Sequence, residues 1–373
     1  MLLLCLDEIF VRRRPVLVGV EPHSLAWVLG RRADDRSGPT WCQALEPWPH
    51  VTYVAADGGS GLRLGLELAE RKRQEAGPVP AREVNLDNFH IQQEGRRALR
   101  RDWQEAEAVW VKAEEADRAV AQSRRRGQDL RRVVHTARAA WEKAEAALVA
   151  VERREAAWQR AVAALGLFRP DGRLNDRAWA AADIAAAVQE LQGSRWKKAC
   201  RMLQDRHALT FLDRLHRELA EAEPRAELRA ACAALWRLRH GGRRGCGPKP
   251  EGAAGAVAAC VQVVICQKLD PGWRESYRRV ARALTGTVRA SSVVECMNSV
   301  LRMHQARHRK LTQGLLDLKR LYWNCRRFAA GKRRNHCPYE HLGLKLPTYE
   351  PWELLQMDPE ELAQKLSTSK VAA

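Results

Sequence analysis

Over residues 1–90 the apolar positions come in short runs, LLLCL, PVLVGV, LAWVL and VTYVAA, each closed by charged residues or glycines. Runs of that length, rich in Val, Leu, Trp and Tyr, predict strands at 2–10, 15–20, 25–29 and 51–56, and a short fifth strand at 83–86. Arg12 to Pro15 reads as a basic turn between the first two. Residues 40–45 predict a short helix ended by Pro47 and Pro49. Gly58, Gly59 and Gly61 then predict a sharp turn into a helix over 62–74.

From about residue 91 the pattern shifts to Ala, Arg, Glu and Trp with a seven-residue period. Val134, Trp141, Leu148 and Val162 share one heptad position, and Ala137, Ala144, Val151, Trp158 and Leu165 the other, with Glu155 the one interruption. Trp103, Ala106, Trp110 and Ala113 form an earlier seam of the same kind. SRRRGQ at 123–128 breaks the rhythm, so 91–166 reads as a helical hairpin whose tryptophans are core residues. Further helices are predicted at 176–192, 194–222, 225–240, 256–268 and 271–284, with a flexible Gly-rich break at 241–255. Beyond Pro347 a tail, 347–373, carries one short helical signal, DPEELAQKL.

Composition narrows the partners. Lys and Arg outnumber Asp and Glu by 64 to 45, a net charge of +19 over 373 residues, which favours a polyanion such as nucleic acid. No stretch reads as the roughly 18 apolar residues a membrane span requires. The opening MLLLCL has no basic segment before it, unlike a signal peptide. Ten cysteines form no CxxC pair, which suggests a reducing cytoplasm and no structural zinc. There is no Gly-rich nucleotide loop, GxSxG or HExxH.

The candidate chemistry lies in acids. Asp7 and Asp57 each directly follow an apolar run; a carboxylate there is accessible while its backbone stays rigid, which suits a metal ligand. Taken singly, each reads more readily as an ordinary turn or cap acid; the two together, in the right strands, favour the metal ligand. Glu8 competes with Asp7, because neighbours on a strand point to opposite faces. In SSVVECMNSVLR, Glu295, Asn298, Ser299 and Arg302 share one helix face and Val293, Met297 and Val300 the other; the plainer reading is a solvated face. Three carboxylates converging from two strand ends and a helix can hold two divalent ions for phosphodiester chemistry. Asp87 and His90, in DNFH, can approach the same place from the fifth strand.

Residues 307–334 carry ten cations, Arg307, Arg309, Lys310, Lys319, Arg320, Arg326, Arg327, Lys332, Arg333 and Arg334, against the single acid Asp317. Tyr322, Trp323 and Phe328 are interleaved. Such a segment suits a DNA backbone, with aromatics able to stack on an unpaired base or to serve as core.

In LDEIFVRRRPVLVGVEP, YVAADGGSGLRLGLE, LDNFHIQQE and SSVVECMNSVLRMHQARHRKLTQGLLDLKRLYWNCRRF, the chain resembles bacterial insertion-sequence transposases of the DDE type. The resemblance implies an α/β ribonuclease H-like core, a mixed five-stranded sheet with helices, interrupted by a large all-α insertion. Residues 1–90 would be the first part of the core, 91–285 the insertion and 286–346 the second part, with basic DNA-contacting helices. It implies Asp7, Asp57 and Glu295 as the catalytic triad, holding two Mg²⁺ ions for which Mn²⁺ can substitute. Asp87 and His90 resemble a C/D-x-x-H element that, with Asn298 and Arg302, would support the active site. The implied partners are double-stranded DNA, as element ends and target, and further copies of the chain on that DNA. No membrane or nucleotide cofactor is implied, and the expected location is the cytoplasm, at the nucleoid. Family members usually carry a DNA-binding region ahead of the first strand, so a strand beginning at the initiator Met raises the expectation of a truncated copy. Two other readings stay open: a catalytically silent DNA-binding remnant, and a stand-alone ribonuclease H-like nuclease.

Overall fold

The computed structural model describes residues 2–241, 252–307, 311–331 and 333–368, and leaves the side chains of 304–307 and 366–368 undescribed. The chain forms two compact units, one of Met1–Phe89 with Val288–Ala373 and one of His90–Thr287.

The first unit opens with an antiparallel meander, β1 (Leu2–Val11), β2 (Arg14–Val20) and β3 (Trp27–Arg32). After α1 (Gly38–Leu45), β4 (Val51–Ala56) pairs parallel with β1; after α2 (Ser60–Glu75), β5 (Glu83–Leu86) pairs parallel with β4. The result is a five-stranded mixed sheet of order β3-β2-β1-β4-β5. Both faces are covered, which is why its central strands are almost wholly apolar. Leu4, Leu6, Leu17, Val54 and Ala56 pack against Trp41 and Leu45 of α1 and Leu62 and Leu66 of α2. On the other face, Cys5, Ile9, Val16, Val18 and Tyr53 form a separate core.

Two local features differ from the sequence reading. The β1–β2 turn is a two-residue loop with Arg12 and Arg13 both left-handed, at φ 49° and 68°. Gly59 has φ −59° and ψ 131°, a conformation open to any residue. Gly61 is the required glycine, because a Cβ there would lie 1.9 Å from the carbonyl oxygen of Arg36.

The second unit is helical. α3 (Asn88–Arg125) starts in the sheet unit and supplies the second unit from His90 onward; α4 (Arg131–Ala164) follows after a five-residue turn. One heptad position, Ala137, Ala144, Val151, Trp158 and Leu165, is buried throughout, whereas Val134 at the other is exposed. The interrupting Glu155 has a partner: Trp103 Nε1 donates to it at 3.0 Å. α5 (Arg177–Glu190), α6 (Lys197–Leu203), α7 (Thr210–Ala222), α8 (Ala226–His240), α9 (Gly252–Leu269) and α10 (Trp273–Gly286) complete this unit.

The helix expected over 194–222 is two helices, because the Asp205 carboxylate accepts the His207 N–H at 2.9 Å and turns the chain. Residues 252–255, expected in the flexible break, are helical; 242–251 lie outside the described residues. With that extension α9 reaches 18 residues and is apolar and long enough, by length and composition alone, to cross a membrane, contrary to the sequence reading. It packs on α8, where Gln262 Nε2 donates to the carbonyl of Ala231 at 3.1 Å.

The chain returns to the sheet unit as α11 (Ser292–Arg307) and α12 (Gln313–Cys325), followed by the short α13 (Pro338–His341), α14 (Pro351–Gln356) and α15 (Pro359–Thr368). Val294, Met297 and Leu301 of α11 and Leu316 of α12 fill the core on the Cys5/Ile9 face. α12 also closes the open edge of β3 with side chains, which protects unpaired strand groups from foreign strands. Gln313 accepts from Arg32 N at 2.9 Å and donates to Gly30 O at 2.8 Å, Arg320 donates to Val28 O at 3.1 Å, and Asn324 exchanges two bonds with the Trp27 backbone at 2.8 and 3.0 Å.

Candidate active site

The parallel pairing of β1 with β4 ends at Leu6 and Ala56, so Asp7 and Asp57 are the next residues on strands lying about 4.8 Å apart. Asp7 is still inside β1, held in place by the antiparallel register with Val18, and is buried. Its Oδ1 accepts the Glu8 N–H at 2.8 Å and its Oδ2 accepts Asn298 Nδ2–H at 2.9 Å. Asp57 has left its strand and is half-buried; its Oδ1 accepts the Gly59 N–H at 3.1 Å.

A third group comes from the next strand. Asp87 N–H donates to Ala56 O at 2.8 Å, and the Asp87 carboxylate accepts the Phe89 N–H at 2.8 Å, so α3 begins at once beyond β5. His90 lies in that first helical turn, and the division between the two units falls within the same turn. One ligand atom each from Asp7, Asp57 and His90 lie within 4.8 Å of one another.

The link into α11 is stitched across the strand ends. Tyr53 Oη donates to Val288 O at 2.7 Å, Asn88 N–H to Arg289 O at 3.0 Å, and Cys5 Sγ lies 3.8 Å from Ala290 O. Burial, reinforced by the negative charges of Asp87 and Glu21, pushes the Cys5 thiol far up, so it stays neutral. Ser291 gives both its N–H, at 3.1 Å, and its hydroxyl to the fully buried Asp87 carboxylate. With Val294, Met297 and Leu301 in the core, the helix period brings buried Asn298 to Asp7. The clasp carries little side-chain signal: Val288 O, Arg289 O and Ala290 O are backbone carbonyls, and only the Asp87 carboxylate that receives Ser291 is a side chain.

The remaining expected residues fall as follows. Glu295 is one turn ahead of Asn298 on α11, its carboxylate 31 % exposed and 3.6 Å from the guanidinium of Arg302. It is not part of the close set formed by Asp7, Asp57 and His90 among the described residues. Glu8 points to the other side of β1 and pairs with Arg36 at 2.8 Å. Asp87 is a structural clasp in this geometry.

Of the basic segment, Arg309, Lys310 and Lys332 lie outside the described residues, and Arg307 is described only in its backbone. Arg333 is bound to the carbonyls of Pro22 and His23, and Arg327 to Asn335 O at 2.6 Å and Glu340 at 2.8 Å. Arg326 and Arg334 are exposed, and Lys319 is half-buried.

The donor set fits a divalent cation. Two carboxylates suit Mg²⁺ and Mn²⁺, and an imidazole nitrogen adds preference for the softer of the two. Beside Asp7, Asn298 Oδ1 is buried with no hydrogen-bond partner, an acceptor that a metal-bound water can satisfy. No protein-family model matches the chain, and no characterised protein matches it in sequence.

Proposed function

We propose that the chain is a metal-dependent DNA strand-cleaving and strand-transferring enzyme, a transposase of the DDE type with a ribonuclease H-like core. The observation that carries the reading is the adjacency of Asp7 and Asp57 one step beyond the last parallel pair, with His90 within 4.8 Å. The strand order β3-β2-β1-β4-β5, with acids at the ends of the two neighbouring parallel strands, supports the same core.

Asp7, Asp57 and His90 are the groups that would hold the cation. When bound, it lowers the pKa of a water or a 3′-hydroxyl and stabilises the leaving oxygen at a phosphodiester. The chain's own residues orient the carboxylates: Glu8 N–H and Asn298 Nδ2–H fix both oxygens of Asp7, and Gly59 N–H fixes one of Asp57. Glu295 stands as the third acid of the triad, on the helix that supplies Asn298, and Arg302 beside it offers a guanidinium to phosphate. The cations of 307–334 neutralise the DNA backbone, giving affinity that falls with salt.

The test is a labelled duplex incubated with purified protein and Mn²⁺ or Mg²⁺, comparing the wild type with Asp57→Asn. The expected result is metal-dependent nicking or strand transfer that the variant lacks. Cutting that survives Asp57→Asn, or a wild type that never cuts, overturns the reading.

A further inference from the structure

A second concavity lies in the sheet unit, on the side of α11 beyond Asn298. α11, α12 and α14 enclose a space of about 500 Å³ lined by Trp27, Met303, Leu315, Tyr322, Trp323 and Trp352, with Lys319 and Arg326 among its walls. An adjoining, more polar space of about 470 Å³ shares Tyr322, Arg326, Pro351 and Trp352 and adds Arg327 and Tyr349. Tyr322 and Trp352 are 57 % and 68 % exposed, two large rings left bare at one opening. Exposed apolar surface of this kind, rimmed by polar groups, marks a binding site.

The charges at the opening choose among occupants. Lys319 and Arg326 form no ion pair among the described residues, although Glu350 lines the polar lobe with Arg326, and burial holds the Lys319 ammonium below its usual pKa. An apolar peptide or a second copy of this basic chain would cover the rings and leave both cations uncompensated. A nucleotide supplies a flat aromatic face for the rings and an anion for the cations in one residue.

We propose that this two-lobed cavity binds one unpaired nucleotide of the DNA strand, its base stacked on Tyr322 and Trp352 and its phosphate at Lys319 and Arg326. The inference rests on the DNA reading above and adds to it a site for a base taken out of the helix.

The test uses the full chain without divalent metal, so that cutting plays no part. Two probes are compared by fluorescence anisotropy: a blunt duplex, and the same duplex with a short single-stranded overhang containing 2-aminopurine. The expected result is binding of the overhang about tenfold tighter than the blunt duplex, with quenching of 2-aminopurine. That preference should fall close to unity in Trp352→Ala and to an intermediate value in Lys319→Gln. Trp352 is largely exposed, so its removal leaves the core intact.

Equal wild-type affinity for the two probes, or a preference that survives Trp352→Ala, overturns the proposal while the metal-dependent cutting assay stands. Sedimentation in which Trp352→Ala abolishes self-association and the overhang preference persists assigns the groove to a second copy instead. Absence of salt-sensitive binding to either probe removes the DNA reading and this site with it.

Discussion

Asn298 Nδ2–H reaches Asp7 Oδ2 at 2.9 Å, a hydrogen bond between residues 291 positions apart in the chain. It joins the helix that returns from the second unit to the first strand of the sheet, and it occupies one oxygen of the carboxylate next to Asp57. Groups that orient a metal-ligating side chain commonly matter about tenfold to a hundredfold in metal affinity. Asn298→Leu keeps the volume and removes the donor, so Mn²⁺ affinity should fall by about that factor, read by electron paramagnetic resonance titration. Unchanged affinity in a folded Asn298→Leu protein would show that Asp7 needs no such support.

Asp57 and Glu8 provide a matched pair of tests, because one stands at the close set and the other on the opposite side of β1. A ligand that binds only the folded state stabilises it by about 2.7 kcal/mol at one hundred times its dissociation constant. Mn²⁺ should therefore raise the melting temperature of the wild type and of Glu8→Gln, and leave that of Asp57→Asn unmoved. Differential scanning calorimetry with and without Mn²⁺ checks this, and a shift retained in Asp57→Asn counts against the site.

Parts of this arrangement were legible in the sequence, and the reasons are local. β4 stands out as an apolar run between Pro49 and Gly58, and β5, EVNL, alternates polar and apolar after Pro80; their observed limits, Val51–Ala56 and Glu83–Leu86, are those the pattern suggests. The apolar pattern places β3 at 25–29, whereas it spans Trp27–Arg32. Leu25 is left-handed at φ 63°, which delays the strand, and at its far end Gln313 meets the backbone of Gly30 and Arg32. The acids at the strand ends carry a side-chain signature, whereas the contacts at 288–290 are made through main-chain carbonyls and carry none. α14 is only six residues long, too short for periodicity to show, so the role of Trp352 at the cavity emerged only from the packing.

In the helical unit, Glu223 closes α7 onto the next helix. Arg225 reaches it through Nε at 2.7 Å and Nη2 at 3.1 Å, and the carboxylate is 1 % exposed. The Arg225 guanidinium, with Ser276 and the Arg225 N–H, outweighs burial and holds the carboxyl down to about 2. A carboxyl whose folded pKa is depressed contributes stability above its unfolded value of 4.5, and that contribution is lost as pH falls towards 2. Glu223→Gln should destabilise the protein at neutral pH by roughly 1–2 kcal/mol, and the difference from wild type should shrink below pH about 4.5. Urea unfolding at several pH values reads both; a cost independent of pH would mean that packing, not charge, sets it.

The β1–β2 turn holds two arginines where glycine or asparagine is favoured. Arg12 and Arg13 sit at φ 49° and 68°, and each left-handed L-residue costs about 1–2 kcal/mol. Both are exposed, so replacing them does not disturb the core. Substituting Asn-Gly, the preferred pair for this loop, should stabilise the fold by roughly 1–2 kcal/mol, measured as a higher urea midpoint with an unchanged slope. A lower midpoint would mean that the arginines make contacts that outweigh their strain.

His90 separates a magnesium site from a manganese site. Carboxylates alone serve Mg²⁺, which is strict about oxygen ligands and slow to give up water, whereas an imidazole nitrogen favours the later ion. Asp7, Asp57 and His90 lie within 4.8 Å of one another, so the wild type should bind Mn²⁺ in preference to Mg²⁺. His90→Ala leaves two carboxylates, and its Mn²⁺ affinity should drop about tenfold while its Mg²⁺ affinity drops less, which narrows the ratio between the ions. Isothermal titration with each ion on both proteins supplies the four constants. A ratio unaltered in His90→Ala would place the imidazole outside the coordination sphere, as a neighbour that orients Asp7 or Asp57. A Mg²⁺ affinity that falls as far as that for Mn²⁺ would mean that the side chain holds the first turn of α3 in place for both.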